Sequence, residues 1–393
     1  MRLLQKECGK CLRHPFLWIV CITFGLFQFL SIYTYVGNAG MRKELRQMHV
    51  AVTDEETASP EYESAYADYK KTYGGMYDTL DMRKILEQKE KMSGYEPQGV
   101  WGSWIVRNYD RLQKRVEQIR KTGEGTYAFY PGSWYKLHST LYGKLWKKLI
   151  LQTAVLMILS MLYLMDYERI YKTQDLVLAT TTGKKMMEKK MLAGTLCGLF
   201  YAGLLTVFTL LVFFAAVPFQ NLWHVPVAAC MVAEPRLQMM YPFVTFWWLE
   251  QWRYLLLALV VLVGLLGIVA AVTAAVQLFL QNSYFSFAVL GLLFMGAYLL
   301  AYVQMGNVWD LIRELFNPTV LYATSGGWFM ENDLCLSFAG NEFAVLFCSG
   351  TAAVCLVPVD VLAAFGFFFT GFLGAGVCGF GCAAEGFGCS CSS

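Results

Sequence analysis

Long apolar runs without a charged residue constrain this chain more than any other feature. From Tyr254 to Trp309 there is no Asp, Glu, Lys or Arg, and a helix needs only about 20 apolar residues to cross the ~30 Å hydrocarbon core of a bilayer. That run has room for two spanning helices, with a break at Gln281-Asn282-Ser283. The 393 residues are 56% hydrophobic and 16% charged, which argues against disorder and against an ordinary soluble enzyme. The sequence therefore predicts a polytopic membrane protein.

The apolar runs predict an all-α integral membrane protein with six transmembrane helices and a large helical extracellular insertion between the first and the second. The predicted spans are 16–36, 149–165, 191–219, 254–280, 283–303 and 343–375. The other predicted segments are a cytoplasmic amphipathic helix at 1–15, an extracellular helical domain at 37–148, a cytoplasmic loop at 166–190, extracellular segments at 220–253 and 304–342, and a Gly/Cys-rich tail at 376–393.

Basic residues predict that the N-terminus is cytoplasmic, since short cytoplasmic segments carry an excess of Lys and Arg. The N-terminal segment has four basic residues against Glu7, and the loop between the second and third spans has six. An even number of crossings separates the two segments, so both can lie inside. Lys144, Lys147 and Lys148 disagree, but they end a predicted loop of over 100 residues, and long loops translocate largely regardless of charge.

The predicted extracellular domain has helical periodicity. Ile105, Tyr109, Leu112, Val116 and Ile119 follow 4-3-4-3 spacing, and five tyrosines form a second stripe, namely Tyr62, Tyr66, Tyr69, Tyr73 and Tyr77. Two such stripes predict helices packed face to face around a turn near 94–99. The tyrosines fit a packing seam or a ladder on which a ligand stacks.

The sequence lacks the common catalytic signatures. No Gly-Lys pair is followed by Ser or Thr, so there is no phosphate-binding P-loop. Cys8, Cys11 and His14 resemble half of a zinc site, but a closed site needs four ligands. We therefore expect no catalytic residue, no metal and no cofactor on this chain. The net charge of +3 also gives no reason to expect a nucleic-acid partner.

Asp360 interrupts the last apolar run. An acid within a span usually faces a cavity, a partner or a proton path. Alternatively, it lies at a headgroup boundary where the helix is broken by Pro358.

The cytoplasmic loop has the sequence DYERIYKTQDLVLATTTGKKMMEKKMLAG (166–194). Its first half predicts a short helix that begins near Glu168 and exposes Leu176 and Val177. A basic helix from Lys184 and Lys185 then leads into the third span. We expect Glu168 to hold the N-terminus of the loop helix or to pair with a basic residue of a partner. Such a helix either lies on the lipid surface or docks into a groove of a partner.

This loop resembles that of the ABC type-2 exporter permeases, in which an acidic residue after the second span precedes a helix and a Thr/Gly-Arg/Lys turn. Two further segments are similar to the start of that family's first span and to its last external segment, KECGKCLRHPFLW (6–18) and FNPTVLYATSGGWF (316–329). Two more resemble the ectodomain of clostridial-type members, YEPQG (95–99) and NYDRLQKRVEQI (108–119). The tail GFGCAAEGFGCSCSS (379–393) departs from the basic tail that is usual in the family.

The resemblance implies the permease subunit of an exporter in the bacterial cytoplasmic membrane. It implies a dimer with a second copy or a paralogue, and a separate ATPase subunit that holds ATP and Mg. The ATPase would contact Glu168, Leu176, Val177, Lys184 and Lys185. One alternative is a membrane sensor or scaffold whose ectodomain binds a ligand and whose loop docks a signalling partner. Another is an ion-coupled transporter, for which Asp360 is the candidate ionisable residue.

Overall fold

Helices are the regular elements in the part of this protein that the structure describes. The computed structural model describes residues 2–38, 41, 64, 67, 71, 76–93, 99–124, 134–171, 183–217, 219, 222–229, 244–303, 308–330 and 340–356. In chain order the helices of these ranges are α1 (Arg2–Leu12), α2 (Pro15–Gly37), α3 (Met76–Thr79), α4 (Met82–Ser93), α5 (Gly99–Thr122), α6 (Trp134–His138), α7 (Trp146–Ile170), α8 (Gly183–Ala216), α9 (Gln251–Leu280), α10 (Ser283–Ala301), α11 (Val308–Phe316), α12 (Thr319–Ala323) and α13 (Asn341–Cys355). No strand occurs within them, so the all-α prediction is confirmed.

Five of the described helices are long and apolar enough to cross a membrane. They are Pro15–Gly37, Lys136–Ile170, Met186–Ala216, Gln251–Leu280 and Ser283–Ala301. This is the architecture of a multi-pass membrane protein. The apolar helix α13 has 15 residues. Residues 357–375 and Asp360 lie outside the described part of the chain, so the sixth span stays a prediction.

The second spanning helix is longer than its apolar run. A π-helical segment, Ser139–Leu145, joins α6 to α7 without a break. The helix therefore starts well before residue 149, within the region that the sequence assigns to the extracellular domain. Lysine explains the difference, because it interrupts an apolar run but is a good helix former. Lys148 points back to α2, where its Nζ donates to the Ser31 Oγ at 3.0 Å.

Helix α7 lies at the centre of the bundle and packs along α2, α8 and α9. Its closest neighbour is α8, because Gly194 and Gly198 face the backbone at Met161 and Met157. A Cβ at Gly198 would lie 3.1 Å from the Met157 Cα. Small residues four apart let spanning helices approach closely. A buried hydrogen bond of 2.8 Å from the Gln28 Nε2 to the Oε1 of residue 152 joins α2 to α7.

Helix α5 buries the stripe that the sequence predicts. Tyr109, Leu112, Val116 and Ile119 are buried, and Ile105 is half-buried. Helix α4 packs against α5. The helical periodicity of this segment is therefore confirmed. Of the five tyrosines in the second stripe, 77 is described and buried, and the other four lie outside the described residues.

Helix α5 is tied to the segment that precedes α9. The Arg115 Nε donates to the Thr245 carbonyl at 3.0 Å, and its Nη2 donates to both Glu124 carboxylate oxygens at 2.7 Å. Burial raises the pKa of Glu124 above its ordinary value, although Arg115 acts in the opposite direction. The Tyr77 hydroxyl donates to the Ala228 carbonyl at 2.6 Å. The described residues 76–93, 99–124, 222–229 and 244–250 therefore lie at one end of the bundle, beside the start of α9.

The segment before α13 folds onto the same end of the bundle. Phe329 adopts a left-handed backbone, with φ of 61°, and its N–H donates to the buried Glu342 carboxylate at 2.7 Å. Such a conformation is costly for a residue with a Cβ, and this hydrogen bond helps to hold it. The Ser325 Oγ donates to the Tyr142 carbonyl at 2.8 Å. Residues 316–330 thereby connect α13 to the π-helical segment.

Candidate functional site

A buried cluster of charges lies at the opposite end of the bundle, where α1, α7 and α8 meet. Glu168 is in the last turn of α7 and is 7% exposed. Lys190 of α8 is 4% exposed and pairs with its carboxylate. Lys10 of α1 lies 3.5 Å from the same carboxylate and 2.7 Å from Glu7. The cluster therefore contains two acids and two bases, supplied by three helices.

The predicted role of Glu168 at the start of a loop helix is wrong. Residues 166–170 are the end of α7, where the helix dipole disfavours a negative charge. The carboxylate is stabilised instead by Lys190 and Lys10. Because these contacts lie inside the chain and the side chain is buried, Glu168 does not present a free charge to a partner.

Burial makes the members of this cluster depend on one another. Glu7 is buried as well, and removing one member of a buried ion pair costs about 3–5 kcal/mol, because the other charge is left without compensation. The Lys10 ammonium also lies 4.4 Å from the centre of the Tyr167 ring. The cluster therefore favours one arrangement of α1 against the ends of α7 and α8.

These two helix ends flank the predicted coupling loop. The loop residues 172–182 lie outside the described residues, and Leu176 and Val177 are among them. Lys184 and Lys185 are in the first turn of α8, which agrees with the predicted basic helix leading into the third span. The described ends of the loop thus belong to α7 and α8, and Lys10 connects the Glu168 carboxylate to α1.

Helix α1 is held to the bundle by further contacts. The Trp18 Nε1 donates to the Leu12 carbonyl at 2.7 Å across the α1–α2 junction. The Cys197 thiol of α8 lies 3.8 Å from the Cys8 carbonyl. Burial, followed by the nearby Cys197, raises the pKa of Cys8 to about 11. This thiol therefore stays protonated at neutral pH and packs as a small apolar group.

Cys8 and His14, two members of the half zinc site considered from the sequence, have different neighbours in the structure. Cys8 lies against Cys197, whereas the His14 ring packs on Tyr163 at 4.2 Å between ring centres. Among the described residues, no group of three His, Cys, Asp or Glu side chains is placed to hold a metal ion.

A basic cavity lies between α1 and the end of α7. It has a volume of about 670 Å³, and its lining includes Lys6, Lys10, Arg13, Tyr163 and Tyr167. The sequence predicts that α1 is a cytoplasmic amphipathic helix. A basic helix of this kind suits the surface of an anionic bilayer, so membrane lipid is an expected partner of this cavity.

Sequence reasoning missed the internal partners of Glu168. From the sequence, Lys10 and Lys190 are only two of the basic residues that predict the orientation in the membrane. Glu7 is only the acid set against the basic residues of the N-terminal segment. One local signal was available, because Glu7 and Lys10 are three residues apart on a helix and can pair. The contact with Lys190 depends on how α7 and α8 pack, and no sequence spacing encodes it.

Comparisons with known proteins leave the family open. No protein-family model, no curated protein and no solved structure matches this chain. Inference about its function therefore rests on the residues, the fold and the geometry of the Glu168 cluster.

Proposed function

We propose that this chain is the permease subunit of an ATP-binding-cassette exporter in the bacterial cytoplasmic membrane. Its N-terminus is cytoplasmic, it has six spans, and it works as a dimer with a second copy or a paralogue. The observation that carries the proposal is the buried Glu168 cluster. A partner that moves the loop 166–190 would act on two spanning helices and, through Lys10, on α1.

A separate subunit supplies the energy in this proposal. The sequence has no P-loop, so ATP and Mg bind to a partner chain. That partner docks on the predicted loop helix at Leu176 and Val177, and the basic residues Lys184 and Lys185 follow in the sequence. Burying each of the two apolar side chains in a groove of the partner contributes about 1.5–3 kcal/mol to docking.

The experiment is to isolate the tagged chain from its native cells in a mild detergent and to identify co-purifying proteins by mass spectrometry. The proposal predicts a chain with a nucleotide-binding P-loop, about one copy per permease, and ATP hydrolysis by the complex. Val177→Asp removes that chain. The matched control, Val106→Asp on the exposed face of α5, retains it. Isolation of the permease without any P-loop protein would reject the proposal.

One observation favours the alternative, a membrane sensor or scaffold. The Arg115 contact to the Thr245 carbonyl lies just before α9 begins at Gln251. A ligand that moved α5 would therefore act on a spanning helix. The same isolation distinguishes the two functions. If the chain is a sensor, it co-purifies with a signalling protein that has no P-loop. The Val106→Asp variant co-purifies with the same protein.

A further inference from the structure

An apolar cavity of about 400 Å³ lies between α7, α9, α10 and α12. Its walls include Ile158 of α7, Ile268 of α9 and Phe294 of α10. No Asp, Glu, Lys, Arg or His lines it, among the residues that the structure describes. The volume falls within the range of about 300–1,000 Å³ that is usual for sites of small molecules. The charged Glu168 cluster is not part of this cavity.

The cavity opens onto the lipid-facing surface of the bundle. Leu151, Phe287 and Met295 are among its lining residues, and each of them is exposed. In a membrane protein the surroundings of such residues are acyl chains rather than water. A ligand therefore reaches the cavity sideways from the bilayer, and the part that fills it is apolar.

One end of the cavity carries hydroxyl groups. Tyr298, Thr319 and Tyr322 line it there, and the Tyr298 and Tyr322 rings meet edge to face at 5.7 Å. The Tyr298 hydroxyl is 3.1 Å from that of Tyr302. A tyrosine near the end of a spanning helix pairs an apolar ring with a hydroxyl group that can form hydrogen bonds. The end is therefore suited to a polar head group without a charge.

The hydroxyl end lies away from the Glu168 cluster. Helix α10 begins at Ser283, whose Oγ donates to the Asp166 carboxylate at 2.9 Å, and Tyr298 lies near its other end, Ala301. The apolar part of the cavity extends from there toward the middle of the membrane. In the proposed orientation, the head group lies near the outer leaflet.

We propose that this cavity binds a single-chain amphiphile whose head group has hydroxyls and no net charge, with the chemistry of a monoacylglycerol. A charged head would have to lose its water next to a lining without a counter-charge. That this amphiphile belongs to the exported substrate class rests on the proposed permease function. Binding itself does not, since the cavity is formed within one chain.

Gly291 gives a direct way to fill the cavity. It lines the cavity from α10, and a Cβ at this position meets no atom within 4 Å. Gly291→Phe therefore places a ring in the cavity without a steric conflict at the backbone. Gly296 is on the same helix, has the same free space at its Cβ and does not line the cavity. Gly296→Phe is thus a matched control.

The test is photo-crosslinking of a diazirine-labelled monoacylglycerol to the purified chain in phosphatidylcholine nanodiscs without an ATPase. We expect saturable labelling on α7, α9 and α10. It should fall at least tenfold in Gly291→Phe and stay within twofold of wild type in Gly296→Phe. Unlabelled monoacylglycerol should compete, whereas the ionised fatty acid and extra phosphatidylcholine should not. The smaller Gly291→Leu variant, which should lower labelling at least threefold, replaces Gly291→Phe if the latter does not purify as a single species.

Three results would overturn the assignment. They are equal labelling of the Gly291 and Gly296 variants, labelling that does not saturate, and competition by phosphatidylcholine as strong as that by monoacylglycerol. The last result would mean that ordinary bilayer lipid fills the cavity. If labelling is as expected but monoacylglycerol does not stimulate the hydrolysis of a co-purified ATPase, the cavity is a binding site and the link to export is wrong. Absence of any ATPase rejects the proposed function and leaves the binding result intact.

Discussion

Replacing Lys190 with Met removes the closest counter-charge of Glu168 while keeping an unbranched side chain. Glu168 stays buried in the last turn of α7. Breaking such a pair costs about 3–5 kcal/mol. Lys10 remains 3.5 Å away and is 27% exposed in its side chain, so it compensates in part. We therefore expect a loss at the lower end, about 3 kcal/mol.

The assay is the free energy of unfolding in mixed micelles, measured as SDS is added. Lys189→Met is the control, because the adjacent lysine is half-exposed; a surface change of this kind is usually within about 0.5 kcal/mol. Adding Glu168→Gln to Lys190→Met should recover most of the loss, since the double variant has no uncompensated acid. A loss below about 1 kcal/mol in Lys190→Met, or no recovery in the double variant, would refute the reasoning.

Three further substitutions test other contacts of the bundle. Gly198→Ala should destabilise the protein by about 1–3 kcal/mol, because the added Cβ meets the backbone of α7. The control Gly203→Ala should not, because there is open space at its Cβ. Unfolding in SDS measures both variants. Arg115→Met leaves Glu124 buried without its cation and raises the pKa of Glu124 further. The free energy of unfolding of this variant should therefore fall as pH rises above the ordinary pKa of a glutamate. A loss of stability that does not depend on pH would contradict this. Gln28→Leu should cost about 0.6–2 kcal/mol through the lost hydrogen bond between α2 and α7, and a stabilised variant would contradict that.

The membrane-spanning helices follow from the sequence more closely than the contacts between them. Charge-free runs predict α2, α9 and α10 to within a few residues, because crossing a bilayer demands length and hydrophobicity from each helix alone. The early start of the second spanning helix is missed. Its lysines interrupt the apolar run but not the helix. Hydropathy alone does not distinguish the end of an apolar run from the end of a helix.

The candidate site is recovered only in part. The loop motif leads to Glu168, but the residues that hold it come from two other helices. The contact between Glu168 and Lys190 depends on the packing of α8 against α7, which Gly194 and Gly198 permit. Asp360, Leu176 and Val177 lie outside the described residues, so their predicted roles stay predictions.

The amount of ATPase bound to the Leu176→Asp/Val177→Asp permease tests the coupling role most directly. The variant should insert in the membrane, because neither substitution lies in a spanning helix. We predict that it purifies as a single species, with less than about a tenth of the wild-type ATPase and without substrate-stimulated hydrolysis, because a groove would have to bury two charges without counter-charges. Retention of the ATPase at wild-type stoichiometry would contradict the account and leave the loop as a lipid-surface helix.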